Sequence, residues 1–168
     1  QGFINEADAI LDYLEDIGPA RRLLPEDSQA RATVRGLMKE IELYIDLPAR
    51  SCFAEAFFGG SVSAAIKSKA REDLLAGFAT LKRHARFAPY VAGESFTLAD
   101  IVFLYSVDLA ATVGKQLFDL DLLGDLPAAR TLLQRLGENP HVKMIAAKRD
   151  AGMPAFVAAV RARLEAAS

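Results

Sequence analysis

The 168-residue sequence contains no tryptophan, one cysteine and two histidines. A single cysteine, Cys52, permits neither an internal disulfide nor a cysteine-rich zinc site, and this composition is typical of proteins in a reducing compartment. The histidines, His84 and His141, lie far apart in the chain and lack the short spacing of metal ligands. We therefore expect a cytoplasmic protein that holds no metal ion.

The sequence has no excess of either charge: its formal net charge is −2, and its pI is about 5.7. The basic residues are scattered and are not interleaved with aromatic residues, so we expect no nucleic-acid partner. No signal peptide is visible, and no apolar run approaches the roughly 20 residues of a membrane helix, so we expect no membrane partner. Because the chain begins with Gln1 rather than methionine, we expect the natural start to lie upstream.

Alternating β-branched segments are nearly absent, whereas alanine, leucine and arginine are frequent, which predicts an all-α fold. The first predicted helix runs from about Glu6 to Ile17, with Asn5 as its N-cap. Its apolar residues recur with helical spacing and predict a buried stripe. They are Ala9, Ile10, Tyr13, Leu14 and Ile17.

Further helices are predicted along the rest of the chain. Their approximate ranges are 25–57 with a bend at Pro48 and an end at Gly59–Gly60, 63–86, 98–114, 127–136, 141–149, and a last helix from Pro154. Gly59–Gly60 is a helix break rather than a phosphate cradle, because no Lys-Ser or Lys-Thr pair follows it. Asp119, Asp121 and Asp125 fall in a predicted loop and lack the pattern of a calcium site.

The segment Thr97-Leu98-Ala99-Asp100 has the spacing of a capping box at a helix start. The Thr97 hydroxyl is expected to accept a hydrogen bond from the Asp100 amide, and the Asp100 carboxylate to accept one from the Thr97 amide. Phe96 and Ile101 stand where a hydrophobic staple would place them. The helix that follows is apolar on most faces, which predicts a position at the centre of a bundle. We interpret Thr97 and Asp100 as structural residues.

The motif from Phe96 to Ile101 resembles the start of the central helix in the C-terminal domain of glutathione transferases. Residues 6–14, Glu-Ala-Asp-Ala-Ile followed by Tyr-Leu, resemble that family's Glu-Ser-x-Ala-Ile…Tyr-Leu motif, which opens the last helix of its thioredoxin-like domain. Asn139-Pro140 matches the family's late Asn-Pro pair. The resemblance covers essentially the whole chain. It implies that residues 1–17 end a thioredoxin-like α/β domain whose remainder is missing, 18–28 form a linker, and 29–168 form the all-α C-terminal domain.

The resemblance implies that the intact protein is a transferase that joins the thiolate of its cosubstrate, glutathione, to small electrophilic molecules, in the manner of detoxification enzymes. Glu6 and Ala7 then take the position of the glutathione-binding pair, although Ala7 replaces the usual serine and removes one hydroxyl contact. No catalytic residue is expected in this chain, because the family's Tyr, Ser or Cys lies in the missing part. The alternative is a noncatalytic member of the fold that serves as a binding or assembly module.

In the family, the second and central helices help to line the electrophile pocket, so Tyr44 and Tyr105 are candidates for it, although core packing is the more common role of such residues. Cys52 does not match the family's catalytic cysteine and is expected to pack in the core. The resemblance also implies a homodimer. The charged face of the second helix, formed by Arg31, Arg35 and Lys39, is expected to lie at that interface or in water.

Overall fold

The structure, a computed structural model, describes residues 2–18 and 22–166, with side chains up to residue 163. These residues form an all-α fold, as predicted, and contain no strand beyond an isolated bridge between Tyr90 and Gly93. Gln1 and residues 19–21 of the predicted linker lie outside the described residues. The helices are α1 (Ala7–Ile17), α2 (Ser28–Ile41), α3 (Leu47–Arg50), α4 (Phe53–Phe58), α5 (Ala64–His84), α6 (Leu98–Phe118), α7 (Pro127–Gly137) and α8 (Pro140–Ala166).

The bend predicted at Pro48 takes the form of a π-helical turn, Glu42–Asp46, between α2 and α3. Pro48 has no amide hydrogen and cannot donate to the carbonyl four residues back, that of Tyr44. The chain widens just before it, and the amide of Leu47 bonds instead to the carbonyl of Glu42, five residues back. Helix α2 itself begins at Ser28, later than the sequence predicted, because the Asp27 carboxylate caps the Ala30 amide at 2.8 Å.

The hydrophobic core lies between α2, α5 and α6, and α6 packs against α2, the π-helical turn, α5 and α7. The fully buried side chains come from all of these elements. The largest of them are Phe103, Ile41, Ile45, Leu74, Leu81 and Leu132. Cys52 is also fully buried, in agreement with the packing role expected for it. On α5, Leu74, Phe78 and Leu81 are buried, whereas the Ile66 side chain is 47% exposed.

Helix α6 begins where the capping box predicted it. The box pairs Thr97 and Asp100 in both directions, and its best-formed bond runs from the Thr97 amide to Asp100 Oδ2 at 2.8 Å. The first helical amide, that of Leu98, donates to the carbonyl of Leu23 at 3.3 Å. The first amides of a helix have no acceptor within the helix, so this bond gives the Leu98 amide a partner. It also attaches the segment that contains Leu23, just before α2, to the start of α6.

The predicted end of α6 at Gly114 is wrong, because the helix continues to Phe118. Gly114 serves close packing rather than termination: a Cβ atom there would lie 2.6 Å from Leu122 Cδ1. The helix ends one turn later, where Asp119 adopts a left-handed conformation with φ of 51° and the Leu120 amide bonds to the Gly114 carbonyl. By length and composition α6 could also span a membrane, as core helices of globular proteins often can, and eight of its residues are buried in this fold.

The two final helices predicted from the sequence are a single helix. Helix α8 runs continuously from Pro140 to Ala166 with Pro154 inside it. Few of its side chains are buried, and its contacts are with α7 and α4. Proline costs one hydrogen bond within a helix, but a helix that is largely surrounded by water accommodates the loss because water replaces the missing partner.

Candidate functional site

The residues assigned to glutathione lie at the start of α1. Glu6, not Asn5, is the N-cap residue, and its side chain makes no capping hydrogen bond. Its carbonyl accepts the first helical bond, from the Ile10 amide at 3.0 Å. Glu6 has φ of 66° and ψ of 128°, a conformation that residues with a Cβ atom rarely adopt. Strained backbone of this kind clusters at functional sites.

Both members of the pair, Glu6 and Ala7, are exposed. No residue of α1 is buried. The apolar stripe predicted for burial is about half exposed instead: Ile10 by 40%, Tyr13 by 47%, Leu14 by 51% and Ile17 by 57%. The sequence identified the apolar face correctly, but within the described residues that face has no covering partner.

Helix α1 packs on the rest of the protein through its polar face. Asp8, Leu11, Asp12 and Glu15 are its partly buried members, and their spacing places them on one side. The Glu15 carboxylate accepts hydrogen bonds from the Leu23 amide at 2.9 Å and the Leu24 amide at 3.0 Å. Of this face, only Leu11 packs against the hydrophobic core.

The charged face of α2 meets these acids. Lys39 Nζ lies 2.7 Å from Asp8 Oδ2 and 2.5 Å from Glu42 Oε2, and Arg35 Nη2 lies 2.9 Å from Asp12 Oδ1. The hydrogen bonds that Lys39 donates to Asp8 and then to Glu42 raise its pKa above the ordinary value. Within this protein, therefore, Arg35 and Lys39 contact α1, whereas the sequence analysis expected them at a dimer interface or in water.

Tyr44 and Tyr105 lie outside the core, contrary to the more common role considered for them. Tyr44 is in the π-helical turn and is 50% exposed, and Tyr105 is on α6 and is 41% exposed. Neither phenol has a hydrogen-bond partner among the described residues. Both side chains are thus available to a ligand, although nothing places them in one cavity.

An aromatic surface that the sequence analysis did not single out lies on α4 and α8. The ring of Phe53 packs edge-on against Phe57 at 5.0 Å between centroids, and Phe58 packs in the same way against Phe156 at 5.8 Å. Phe156 remains 55% exposed. The FxxxFF spacing in residues 53–58 was the available signal, because residues four apart share a helix face.

Asp100 is fully buried, and its carboxylate joins two segments. Oδ1 accepts from the Val91 amide at 2.9 Å, while Oδ2 accepts from the Thr97 amide and from the Thr97 hydroxyl at 3.2 Å. Burial raises the pKa of Asp100, and the three hydrogen bonds oppose this shift. All three donors come from the loop before α6 and from its N-cap, which agrees with the structural role predicted from the sequence.

The two histidines and the aspartates after α6 do not form a metal centre. The described residues contain no group of three or more His, Cys, Asp or Glu placed to hold a metal ion. His84 Nδ1 bonds to Glu40 at 2.8 Å and joins α5 to α2. His141 is exposed near the start of α8. Among the aspartates after α6, Asp121 is held by Arg130 at 2.7 Å.

The sequence matches the family profile described as "Glutathione S-transferase, C-terminal domain" over residues 1–135. It is 59% identical over 160 residues to a protein of Pseudomonas putida named "Glutathione S-transferase", and the match covers 95% of this chain and 73% of that protein.

Two solved structures share the fold of this chain. Gtt2 from Saccharomyces cerevisiae superposes with a TM-score of 0.67 at 26% identity, over 84% of this chain and 68% of that one. Maleylacetoacetate isomerase from Anaeromyxobacter dehalogenans, solved with bound dicarboxyethyl glutathione, superposes with a TM-score of 0.66 at 24% identity, over 83% of this chain and 61% of that one.

Proposed function

Because the chain belongs to the glutathione S-transferase family, we propose that its helices supply the electrophile side of a glutathione transferase site and one anchor for glutathione itself. The family assignment carries this proposal, and it makes the protein a transferase. The reaction joins the glutathione thiolate to an electrophilic centre of a small molecule, with glutathione as the cosubstrate. Detoxification in the cytoplasm is the role that suits this reaction.

Glu6 and the backbone amide of Ala7 are the proposed glutathione anchor. The Glu6 carboxylate suits an ammonium group such as that of the γ-glutamyl residue, and an exposed amide at a helix start suits a carboxylate. The strained conformation of Glu6, with φ of 66°, supports a role that is not merely structural. The replacement of serine by Ala7 makes this anchor weaker than one with a hydroxyl.

For the electrophile, the proposed contacts are Tyr44 and Tyr105. Their half-exposed rings offer apolar area together with an unbonded hydroxyl group, the combination that ligand pockets use. The thiol-activating residue is proposed to come from outside these 168 residues. In support, the one thiol here, Cys52, is fully buried and cannot reach a substrate.

The domain division is part of the same proposal. Residues 1–17 would end a thioredoxin-like domain, 18–28 would link it to the next, and 29–168 would form the all-α domain. The half-exposed stripe from Ile10 to Ile17 supports this, because such a face is normally covered. The intact mass of the natural protein tests the division: a mass several kilodaltons above 18.2 kDa agrees with it, whereas 18.2 kDa contradicts it.

We place the homodimer contact at a groove between α3 and α5 rather than at the charged face of α2. The groove, of about 430 Å³, is lined by Leu43, Leu47 and Ile66, which are 46%, 59% and 47% exposed. Lys69 and Asp73 also line it. In a two-fold contact, the same surface of two copies of the chain meets. An apolar surface that carries both a basic and an acidic residue, as this groove does, can therefore pair with its own copy.

The test of the proposed activity is a conjugation assay with glutathione and an activated aryl chloride, using the natural full-length protein. Glu6→Gln removes the charge that would meet the ammonium group and should raise KM for glutathione about tenfold, since a hydrogen bond between charged groups is worth about 1.5–3 kcal/mol. An intact protein that binds glutathione but conjugates no electrophile would favour the noncatalytic alternative.

A further inference from the structure

The orientation of α1, which carries the proposed glutathione anchor, depends on ionic contacts with α2. Lys39 Nζ contacts Asp8 at 2.7 Å, and Arg35 contacts Asp12 at 2.9 Å. One turn further along α1, the Glu15 carboxylate accepts the amides of Leu23 and Leu24. Three acids on successive turns thus fix one face of the helix.

Little else determines how α1 lies on the protein. None of its residues is buried, and of the residues facing α2 only Leu11 adds a contact with the core. A helix held by an apolar face can slide or rotate at little cost, whereas charged partners at fixed positions specify one register. The ionic contacts therefore set the rotation and the axial position of α1.

The Lys39 contact lies at the end of α1 that matters for glutathione. Asp8 is in the first turn, two residues after Glu6, and its side chain is the less exposed partner of the pair at 31%, against 51% for Lys39. Glu42, the first residue of the π-helical turn, bonds to the same ammonium group at 2.5 Å and holds Lys39 in place. The strained backbone at Glu6 needs surroundings that fix it, and this contact supplies them at the adjacent turn.

We propose that Lys39, supported by Arg35, is a positioning residue for glutathione: it holds the first turn of α1 so that Glu6 and the Ala7 amide are prearranged for the γ-glutamyl end. The proposal rests on the proposed function, because it requires that Glu6 bind glutathione. It assigns to α2 a role in the affinity for glutathione, beside the electrophile contacts proposed for Tyr44 and Tyr105. Neither Lys39 nor Arg35 needs to touch the ligand.

The expected effect is on binding, not on chemistry. Without the contact, glutathione must order the first turn of α1 when it binds, and that cost lowers affinity equally in the ground state and in the transition state. Because the ion pair is half exposed, the effect should be modest. Lys39→Met, which keeps the length of the side chain, should raise KM for glutathione about fivefold. The kcat and the KM for the electrophile should stay near wild-type values.

The experiment compares four forms of the full-length natural enzyme: wild type, Lys39→Met, Lys39→Arg and a matched control, Lys115→Met. Lys115 pairs with Asp119 at 2.5 Å at the far end of α6, so its loss removes an exposed lysine ion pair that does not involve α1. Lys39→Arg keeps the charge and should restore a KM close to wild type. The difference between wild type and Lys39→Met should narrow in about 1 M salt, where exposed charges are screened.

An unchanged KM in Lys39→Met, or an equal rise in Lys115→Met, would overturn the proposal. If Lys39→Met does not fold, Arg35→Gln breaks the next contact and should raise the same KM, and no rise there also overturns it. Glu6→Gln, measured in parallel, separates the two ideas. A normal KM in Glu6→Gln refutes the glutathione role of Glu6, whereas a raised KM there with a normal value in Lys39→Met refutes the positioning role alone.

Discussion

The carbonyl oxygen of Tyr44 lies so close to Gly77 on α5 that a Cβ atom on residue 77 would collide with it and would also lie 3.1 Å from Ile45 Cγ1. Pro48 is the origin of this contact, because it leaves the Tyr44 carbonyl without its usual donor within the helix. The close approach of the π-helical turn to α5 therefore requires glycine at residue 77, because a side chain there would occupy the space of the Tyr44 carbonyl.

Gly77→Ala should destabilise the protein by about 1–3 kcal/mol or more, because backbone of the π-helical turn must move to admit the methyl group. Gly36→Ala is the matched control: a Cβ atom at Gly36, within α2, would meet nothing within 4 Å. That substitution should stabilise the protein by roughly 0.5–1 kcal/mol, since alanine favours helix over glycine. Urea unfolding of both variants measures the difference, and equal midpoints would show that the collision is relieved at no cost.

Asp100→Asn should destabilise the protein near neutral pH by about 1–3 kcal/mol, because an amide has one acceptor oxygen where the carboxylate serves three donors. Protonation of Asp100 has a separate effect on stability, and this effect favours the folded state at low pH. Burial raises the pKa of Asp100, so the contribution of this group is fully present below its unfolded pKa and declines as pH rises through the folded pKa. Urea titrations over the acid range should show that decline in wild type and not in Asp100→Asn.

For Glu55 we predict the reverse pH dependence of stability. Its carboxylate accepts from Lys67 Nζ and from the Val62 amide, both at 2.8 Å, and these bonds join α4 to the start of α5. Lys67 first and then the Val62 amide lower the pKa of Glu55. The stability from this group is therefore present above its unfolded pKa and is lost as pH falls through the folded pKa. Glu55→Gln should lower the urea midpoint near neutral pH and converge with wild type in acid, and parallel pH curves would contradict this.

Ala7→Ser should strengthen glutathione binding, because it adds a hydroxyl at the position where the related motif carries serine. A hydrogen bond to a charged group is worth about 1.5–3 kcal/mol, so KM for glutathione should fall at least severalfold in the full-length enzyme. Ala9→Ser adds the same hydroxyl to an exposed position two residues further along α1 and serves as the control. If affinity is the same in Ala7→Ser as in wild type, the missing hydroxyl does not weaken the anchor, and that part of the proposal is wrong.

Leu47→Glu should convert a dimer to a monomer. Leu47 is 59% exposed in the groove between α3 and α5, and a two-fold contact would bring two introduced carboxylates close together. Light scattering during gel filtration measures the mass. Leu75→Glu, an exposed leucine on α5 outside the groove, is the comparison. A dimer that survives in Leu47→Glu places the interface elsewhere.

The features predicted correctly from the sequence depend on neighbouring residues. The capping box needs only Thr97 and Asp100 three positions apart, and the bend near Pro48 follows from one missing amide hydrogen. The family motifs are equally local, so the all-α fold and the family could be identified from sequence alone.

The features that were missed depend on contacts with distant residues. Gly114 ends no helix because Leu122 packs against it, and Pro154 interrupts no helix because α8 is largely exposed to water. Tyr44 and Tyr105 lie on stripes that periodicity alone cannot distinguish from core. Periodicity likewise identified the apolar face of α1 but not its surroundings, since its acidic face is the one that meets α2.

The peptide between Leu23 and Leu24 bonds in two directions: the Leu24 amide donates to Glu15 on α1 at 3.0 Å, and the Leu23 carbonyl accepts from the amide of Leu98 at the start of α6 at 3.3 Å. The last turn of α1 and the first turn of the central helix therefore share one rigid, planar unit. The two helix ends are therefore linked through the Leu23–Leu24 peptide. A ligand that reduces the motion of α1 would thus also slow hydrogen exchange at the amide of Leu98. That amide lies within the helical bundle and can report on binding at α1.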